Sequence, residues 1–187
     1  MKQALTLIVA VLTALAVTGP ASSVEITYHL VGVPEVYTLV NLHPDEGQRL
    51  LYSVNYLREG LIPLCTRVRI DSVDRERMLF TLIESGHQYT WAFHRSLRDP
   101  IAKHLDRFFG KTCDKKRIES MSRLDQDGIA QGKVFPGMTK DGVILAIGYP
   151  PEHATPTVES NAWRYWKNRF NTILVHFVDG KVLRVQD

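Results

Sequence analysis

The side chains best suited to chemistry in this 187-residue chain are its histidines, but their spacing matches no catalytic motif. His87 and His94 flank a predicted strand, His104 lies in a predicted helix, and His153 lies in a loop. No two of them have the HExxH spacing, in which two zinc ligands and a general base share one face of a helix. His104 neighbours an apolar stripe, so we expect it to pack in the protein rather than act as a base.

Other catalytic and ligand-binding patterns are missing as well. The chain has no GxSxG nucleophile elbow, no P-loop and no cysteine spacing of a metal knuckle. Asp125 and Asp127 lie in a polar, helix-breaking stretch that is typical of solvated or capping carboxylates. Tyr89, Trp91 and Phe93 alternate along one strand and would line either a barrel interior or a groove for peptide or glycan. We therefore predict a protein that is not an enzyme, with no catalytic residue, metal or cofactor.

The first residues have the pattern of a secretory signal peptide. Met1 and Lys2 precede a continuous apolar run at residues 4–17, and the small residues of TGPASS follow it. The run is short for a membrane span, so we predict cleavage within residues 21–24, with an uncleaved anchor as the alternative. A lipoprotein would need a cysteine directly after the run, and none precedes Cys65. The predicted mature chain is soluble, has no transmembrane segment and is periplasmic or secreted.

Export favours a disulfide between Cys65 and Cys113, the two cysteines of the chain. In the chain-entropy treatment, closing so long a loop contributes about 4 kcal/mol. Two buried free thiols are the alternative. The composition, with 44% hydrophobic and 23% charged residues, is that of a packed globular protein. A net charge of +3 is too small to suggest nucleic acid as a partner.

The hydrophobic pattern predicts an α+β protein. After the signal peptide at residues 1–23 we expect a β-rich domain at 24–95, a helical connector at 96–125 and a third domain at 126–187. In the β-rich part, short segments of β-branched and aromatic residues are separated by Pro, Gly, Asp and Asn. Such a series is typical of a small barrel, and we predict an SH3-like barrel. Its segments are VEITYHL, VYTLVNL, RLLYSVNYL, CTRVRIDSV, RMLFTLIES and HQYTWAFHR.

The connector is predicted to contain two helices. Asp99 is a good N-cap residue, Pro100 fits the first helical position, and apolar residues then recur at helical spacing until Gly110. A second helix would begin after Asp114, which would cap it, and would fray near residues 127–128.

The third part is predicted to be one short helix followed by three antiparallel strands. Thr139 is a plausible N-cap, Asp141 places negative charge in the first turn, and Gly148 ends the helix before a double proline. The strands are AWRYWKN, NTILVHFV and KVLRVQ, and Asp179 with Gly180 predicts a tight hairpin between the last two.

This third part resembles the SmpA/OmlA (BamE-like) family over residues 126–187. The resemblance lies in a Gly-Met-Thr turn, the helix with its Gly-x-Pro stop, and the aromatic strands that follow. It implies two helices then three strands, no catalysis, and docking to envelope proteins and to anionic lipid. The chain lacks the lipid-bearing cysteine of the family lipoproteins, and the resemblance does not extend to the residues before 126. The matching residues are Ile129, Val134, Gly137, Met138, Thr139, Val143, Ala146, Gly148, Pro150, Trp163, Tyr165, Phe177, Gly180, Lys181 and Val182.

Pleating divides the three C-terminal strands into two faces. We expect the more apolar face to receive the helices; it comprises Trp163, Tyr165, Ile173, Val175, Phe177, Leu183 and Val185. The other face combines aromatic, apolar and arginine side chains, which are enriched at binding hot spots. We predict that it binds a partner, with coverage by the barrel or the connector as the alternative. Its residues are Arg164, Trp166, Leu174, His176, Val182 and Arg184.

A basic turn adjoins this predicted binding face. Lys167 and Arg169 would contact anionic lipid headgroups or an acidic protein, or else form a solvated turn.

The sequence thus predicts a noncatalytic exported binding or scaffold protein of the bacterial cell envelope, similar to outer-membrane assembly accessory factors. We expect an envelope protein as its partner, and contact with anionic lipid or peptidoglycan as a further interaction. Two alternatives stay open. One is a secreted inhibitor or cell-wall-binding module, and the other is a periplasmic hydrolase with a histidine-based site.

Overall fold

The structure, a computed structural model, describes residues 26–187, so the predicted signal peptide lies outside the described residues. Within them the fold is mixed α/β and mostly sheet, with few helices. A curled six-stranded sheet is followed along the chain by short helices and a three-stranded antiparallel sheet. The α+β prediction is confirmed at that level.

Five of the six predicted N-terminal segments contain strands of the larger sheet. The exception is VEITYHL, of which residues 26–30 are described; there Tyr28 and Leu30 are buried in the core without forming a strand. The order across the sheet is β2-β5-β4-β3-β1-β6, and neighbours are antiparallel except for β2 with β5. The strands are β1 (Val36–Thr38), β2 (Leu50–Tyr52), β3 (Arg67–Val73), β4 (Arg77–Leu82), β5 (Gln88–Ala92) and β6 (Phe109–Gly110).

Strand β6 lies where the sequence predicted the end of a helix, so that prediction is wrong. Helix α1 spans only Ile101–Leu105. Phe109 pairs with Thr38 of β1 and is buried, which shows that tertiary packing overrides the helical spacing here. Asp99 does not cap α1 through its side chain, because its carboxylate pairs with Arg107.

The second half of the connector is helical, but the one helix predicted there is two helices separated at residues 120–122, and its end also differs. Helix α2 (Lys115–Glu119) is capped by the side chain of Asp114, and helix α3 (Arg123–Gln131) follows it. Helix α3 continues through the predicted frayed end at residues 127–128, since Gly128 lets α3 approach Met138 closely. A Cβ atom at Gly128 would lie 2.4 Å from Cε of Met138.

Helix α4 (Lys140–Ile147) has the predicted caps. Thr139 accepts a hydrogen bond from the N–H of Gly142 at 3.0 Å, and the helix ends at Gly148, which has φ of 77°. Helices α3 and α4 pack against each other. The loop after α4 then leads to the smaller sheet.

The smaller sheet contains β7 (Ala162–Trp166), β8 (Thr172–Val178) and β9 (Lys181–Gln186) in sequential order. Asp179 and Gly180 join the last two strands with φ of 50° and 74°. Both residues are therefore in the left-handed region that a two-residue type I′ hairpin requires, as the sequence predicted.

The β-rich half and the last part of the chain share one core of buried apolar side chains. Two asparagines also join these parts by hydrogen bonds. Asn41 Nδ2 donates to the carbonyl of Ile129 at 2.7 Å, and Asn55 Nδ2 donates to the carbonyl of Tyr149 at 2.8 Å. Buried polar groups thus fix the register of the contact, because a shift would leave amides and carbonyls without partners.

Cys65 and Cys113 form the predicted disulfide, with Cα atoms 5.4 Å apart. The bond joins the residue two before β3 to the segment between β6 and α2, 48 positions later in the chain. A disulfide is consistent with the oxidising compartment that we predict for an exported protein.

Candidate functional site

One face of the smaller sheet is covered by helix α4 and belongs to the core. Trp163 and Tyr165 of β7 are fully buried there. The hydroxyl of Tyr165 donates to the carbonyl of Gly148 at 2.9 Å, at one end of α4. At the other end, Nζ of Lys140 lies 5.6 Å from the centroid of the Trp163 ring. The prediction that the more apolar face receives a helix is therefore confirmed.

The opposite side of the sheet, which we call the open face, brings together five of the six predicted binding residues. Arg164 on β7 stands opposite Leu174 on β8, and His176 on β8 stands opposite Arg184 on β9. Both arginines are exposed, whereas Leu174, His176 and Trp166 are partly buried. The open face is thus a partly apolar strip flanked by two guanidinium groups.

Val182 is the sixth predicted residue, and its assignment to the open face is wrong. It stands opposite Phe177 and is only 3% exposed, so it belongs to the core. Strand β9 contains one extra residue between the pairs His176–Arg184 and Phe177–Val182, which reverses the alternation of sides. The same bulge leaves Leu183 57% exposed, although we predicted that it would share the core face.

Two contacts lie at the Trp166 end of the open face, one from the N-terminal half and one from the loop after helix α4. The N–H of Leu57 donates to the carbonyl of Trp166 at 2.8 Å, along the outer edge of β7. The imidazole of His153 stacks on the Trp166 ring with centroids 6.1 Å apart. Arg164 and Arg184 are exposed, whereas Nε1 of Trp166 and Nε2 of His176 are buried and have no hydrogen-bond partner in the described part of the chain.

The open face is positively charged. Within residues 26–187, neither Arg164 nor Arg184 makes an ion pair. In the adjacent turn, Lys167 pairs with Asp187 at 2.9 Å, so part of its charge is neutralised. The guanidinium of Arg169 lies 4.6 Å from the centroid of the Phe170 ring. Phe170 is 76% exposed and was not among the predicted site residues.

Two of the histidines, His94 and His153, form a small cluster with Ser96 that sequence reasoning missed. Ser96 Oγ lies 2.7 Å from Nδ1 of His94 and 3.5 Å from Nδ1 of His153. Burial, followed by the charges of His94 and Arg98, lowers the pKa of His153. The neighbouring Glu152 pairs with Arg107 rather than with a histidine. A sequence offers no signal for this cluster, because His153 comes from a distant loop.

Four of the other residues that were considered for chemistry are buried and packed inside the fold. His104 is buried beside the rings of Trp91 and Phe108, with centroids 6.0 and 5.1 Å away. Asp125 is buried rather than solvated; it accepts from the Ser122 hydroxyl at 2.7 Å. Tyr89 and Trp91 are buried in the core, so they do not line an open groove. Residues 26–187 contain no group of three His, Cys, Asp or Glu side chains that could bind a metal ion.

No protein family, curated protein or solved structure matches this chain. The resemblance to the SmpA/OmlA family therefore stays a prediction. In the part of the chain that the structure describes, every helix is too short or too polar to cross a bilayer.

Proposed function

We propose that this protein is a noncatalytic binding protein of the bacterial cell envelope that docks an acidic partner protein on its open face. The observation that carries the proposal is the pair Arg164 and Arg184. Both side chains are exposed, and they stand beside the partly buried Leu174 and His176. Neither arginine has an acidic partner in residues 26–187.

The chemistry of the open face fits a protein partner better than bulk solvent. An exposed guanidinium next to apolar surface binds a carboxylate through two parallel hydrogen bonds, and apolar contact beside it excludes water. Trp166 borders this strip, and aromatic residues and arginine are the side chains that dominate interface energies. Two cations of one sign also attract an acidic partner during diffusional encounter.

The envelope assignment rests on the resemblance and on the oxidised cysteines. Two helices, α3 and α4, are followed by three antiparallel strands, which is the order that the SmpA/OmlA resemblance implies. The Cys65–Cys113 disulfide fits an exported protein. A cleaved signal peptide, a periplasmic or secreted location and an accessory role in outer-membrane assembly complete the proposal.

Charge reversal on the open face tests the proposal. We expect Arg164→Glu with Arg184→Glu to weaken crosslinking of the protein to its envelope partner at least about tenfold. The matched control is Arg75→Glu with Arg95→Glu, two exposed arginines outside the open face that make no ion pair in residues 26–187. Both variants change the net charge equally. A loss of crosslinking that is confined to the Arg164→Glu, Arg184→Glu variant therefore identifies the open face as the binding surface.

Two results contradict the proposal. One is an unchanged set of crosslinked envelope proteins for the open-face variant. The other is equal loss in both variants, which would mean that net charge alone controls binding. Vesicles of anionic lipid and purified peptidoglycan serve as competing probes, and stronger retention on either of them than on envelope protein rejects a protein partner.

A further inference from the structure

The outer edge of strand β9 is only half covered. The N–H of Gly137 donates to the carbonyl of Val182 at 2.7 Å, and the N–H of Val182 donates to the carbonyl of Met138 at 2.8 Å. The backbone N–H of Lys140 donates to the carbonyl of Gly180 at 3.2 Å. These bonds end at Val182, and no described segment pairs with the outer edge beyond it.

The backbone of Val185 points outward along this uncovered stretch. The N–H of Phe177 donates to Asn161 on the β7 side, so its neighbour His176 directs its backbone groups toward β9. Arg184, which stands opposite His176, therefore bonds inward, and the next residue, Val185, directs its N–H and carbonyl away from the sheet.

The other edge of the same sheet is protected. Along β7, the carbonyl of Trp166 accepts from Leu57, and the N–H of Arg164 donates to Thr155 Oγ1 at 3.0 Å. Native proteins normally protect exposed edges in this way because unpaired backbone groups recruit foreign strands. At β9, by contrast, the uncovered stretch exposes apolar side chains, with Leu183 57% and Val185 37% exposed.

We propose that the partner adds an antiparallel β-strand to the outer edge of β9, in which one residue exchanges both backbone hydrogen bonds with Val185. The inference rests on the proposed function, since it specifies how the acidic partner engages the open face. A residue paired directly with Val185 has its side chain on the core side of the sheet, where Val175 stands opposite Val185. The residues on either side of it lie on the open face, beside Arg184.

This geometry specifies the partner strand. Its residue opposite Val185 is apolar, because it extends the buried side of the sheet. Its flanking residues are acidic, because they meet the guanidinium of Arg184, which makes no ion pair within residues 26–187. The partner segment therefore alternates acidic and apolar residues, and main-chain hydrogen bonds supply affinity while the alternating side chains supply specificity.

Blocked hexapeptides test this strand directly. The probe is an acetylated and amidated peptide of alternating glutamate and valine, added to the isotope-labelled protein and followed by NMR. We expect the amide resonance of Val185 to shift and its exchange with water to slow. N-methylation of the valines should weaken binding at least about tenfold, because these are the N–H groups that pair with Val185.

The matched control is the same peptide N-methylated on its glutamates, whose N–H groups point away from β9 in the proposed register. It should bind as the parent does. Equal binding by the valine-methylated peptide, or shifts located away from β9, overturns the strand inference while leaving the open face as a docking surface.

A separate comparison tests the charge on which the proposed function depends. Replacing the glutamates of the peptide by lysines, or changing Arg184→Glu in the protein, should abolish the interaction. If the lysine peptide binds as well as the glutamate peptide, the acidic partner of the proposed function is wrong, whatever the result of N-methylation.

Discussion

At the scale of single residues, the contact between helices α3 and α4 depends on a glycine that faces a buried carboxylate. Asp125 accepts hydrogen bonds from the Ser122 hydroxyl and from the N–H of Thr139, at 2.7 and 2.8 Å. A Cβ atom on Gly142 would lie 2.1 Å from Oδ1 of Asp125. The carboxylate thus connects both helix starts, and it has room to do so only because residue 142 has no side chain.

Gly142→Ala should therefore destabilise the protein by about 1–3 kcal/mol, the usual range for overpacking a tight core. Without the carboxylate nearby, the same change inside a helix would stabilise by nearly 1 kcal/mol, so the sign of the effect is diagnostic. Urea unfolding of the wild type and the variant measures it.

A double-mutant cycle identifies Asp125 as the cause. In an Asp125→Ala background the added methyl group no longer meets a carboxylate, so Gly142→Ala should become neutral or stabilising. If the alanine costs as much in that background as in the wild type, another contact is responsible.

Several residues on which the predicted family resemblance rests are likewise core or turn residues. Met138, Val143, Trp163 and Phe177 are buried, and Gly180 has the positive φ of the hairpin. None of these five lies on the open face. The resemblance therefore concerns how this part folds, and the binding site has to be argued from other residues.

At the scale of elements, the Cys65–Cys113 disulfide holds the segment before helix α2 against the larger sheet. Helix α2, which follows that segment, has no fully buried residue, and its Ile118 is only partly buried against the core. A bond across 48 positions restricts the unfolded chain strongly. Cys65→Ser with Cys113→Ser should lower the free energy of unfolding by about 4 kcal/mol in the chain-entropy treatment.

Denaturant midpoints of the oxidised protein, the reduced protein and the double variant measure this effect. The reduced wild type is the matched control, because it lacks the bond but keeps both side chains. It should unfold at the same midpoint as the double variant. Equal midpoints for all three would show that the bond does not stabilise the fold.

Elements defined by local signals were predictable from the sequence, and elements defined by distant contacts were not. The caps Thr139 and Gly148 and the Asp179–Gly180 turn involve neighbouring residues, so the sequence indicates them directly. Strand β6 depends on pairing with β1, which no local spacing reveals. The apolar spacing around Phe109 matches a helix as well as a buried strand end.

The candidate site could likewise be predicted from the sequence only in part. Strict alternation placed Arg164, Trp166, Leu174 and His176 on one face of the sheet correctly. It failed for Val182, because a bulge adds a residue and nothing in KVLRVQ marks where it occurs. Whether the face is covered depended on the position of the N-terminal half, which the sequence left open.

At the scale of the whole molecule, two buried histidines make the fold sensitive to acid. His43 and His104 are 8% and 4% exposed. Burial lowers the pKa of His43, whose Nε2 lies 3.0 Å from the carbonyl of Ala146. Burial, assisted by the charge of Arg107, lowers the pKa of His104 to about 4.

Both histidines are neutral in the folded protein but titrate near pH 6.5 once the chain unfolds. Between that value and their lower folded pKa values the unfolded chain binds more protons, so stability is present above about pH 6.5 and is lost as the pH falls. For His104 alone, the loss by about pH 4 is roughly 3 kcal/mol. His104→Phe should therefore flatten the dependence of unfolding free energy on pH.

Urea unfolding at about pH 7.5 and about pH 5 measures this dependence for the wild type, His104→Phe and His87→Phe. His87 is exposed, so its replacement controls for the loss of a histidine from the chain and should leave the slope unchanged. A phenylalanine at position 104 keeps an aromatic ring beside Trp91 and Phe108, which separates titration from packing. If His104→Phe loses as much stability on acidification as the wild type does, the acid sensitivity arises from groups other than His104.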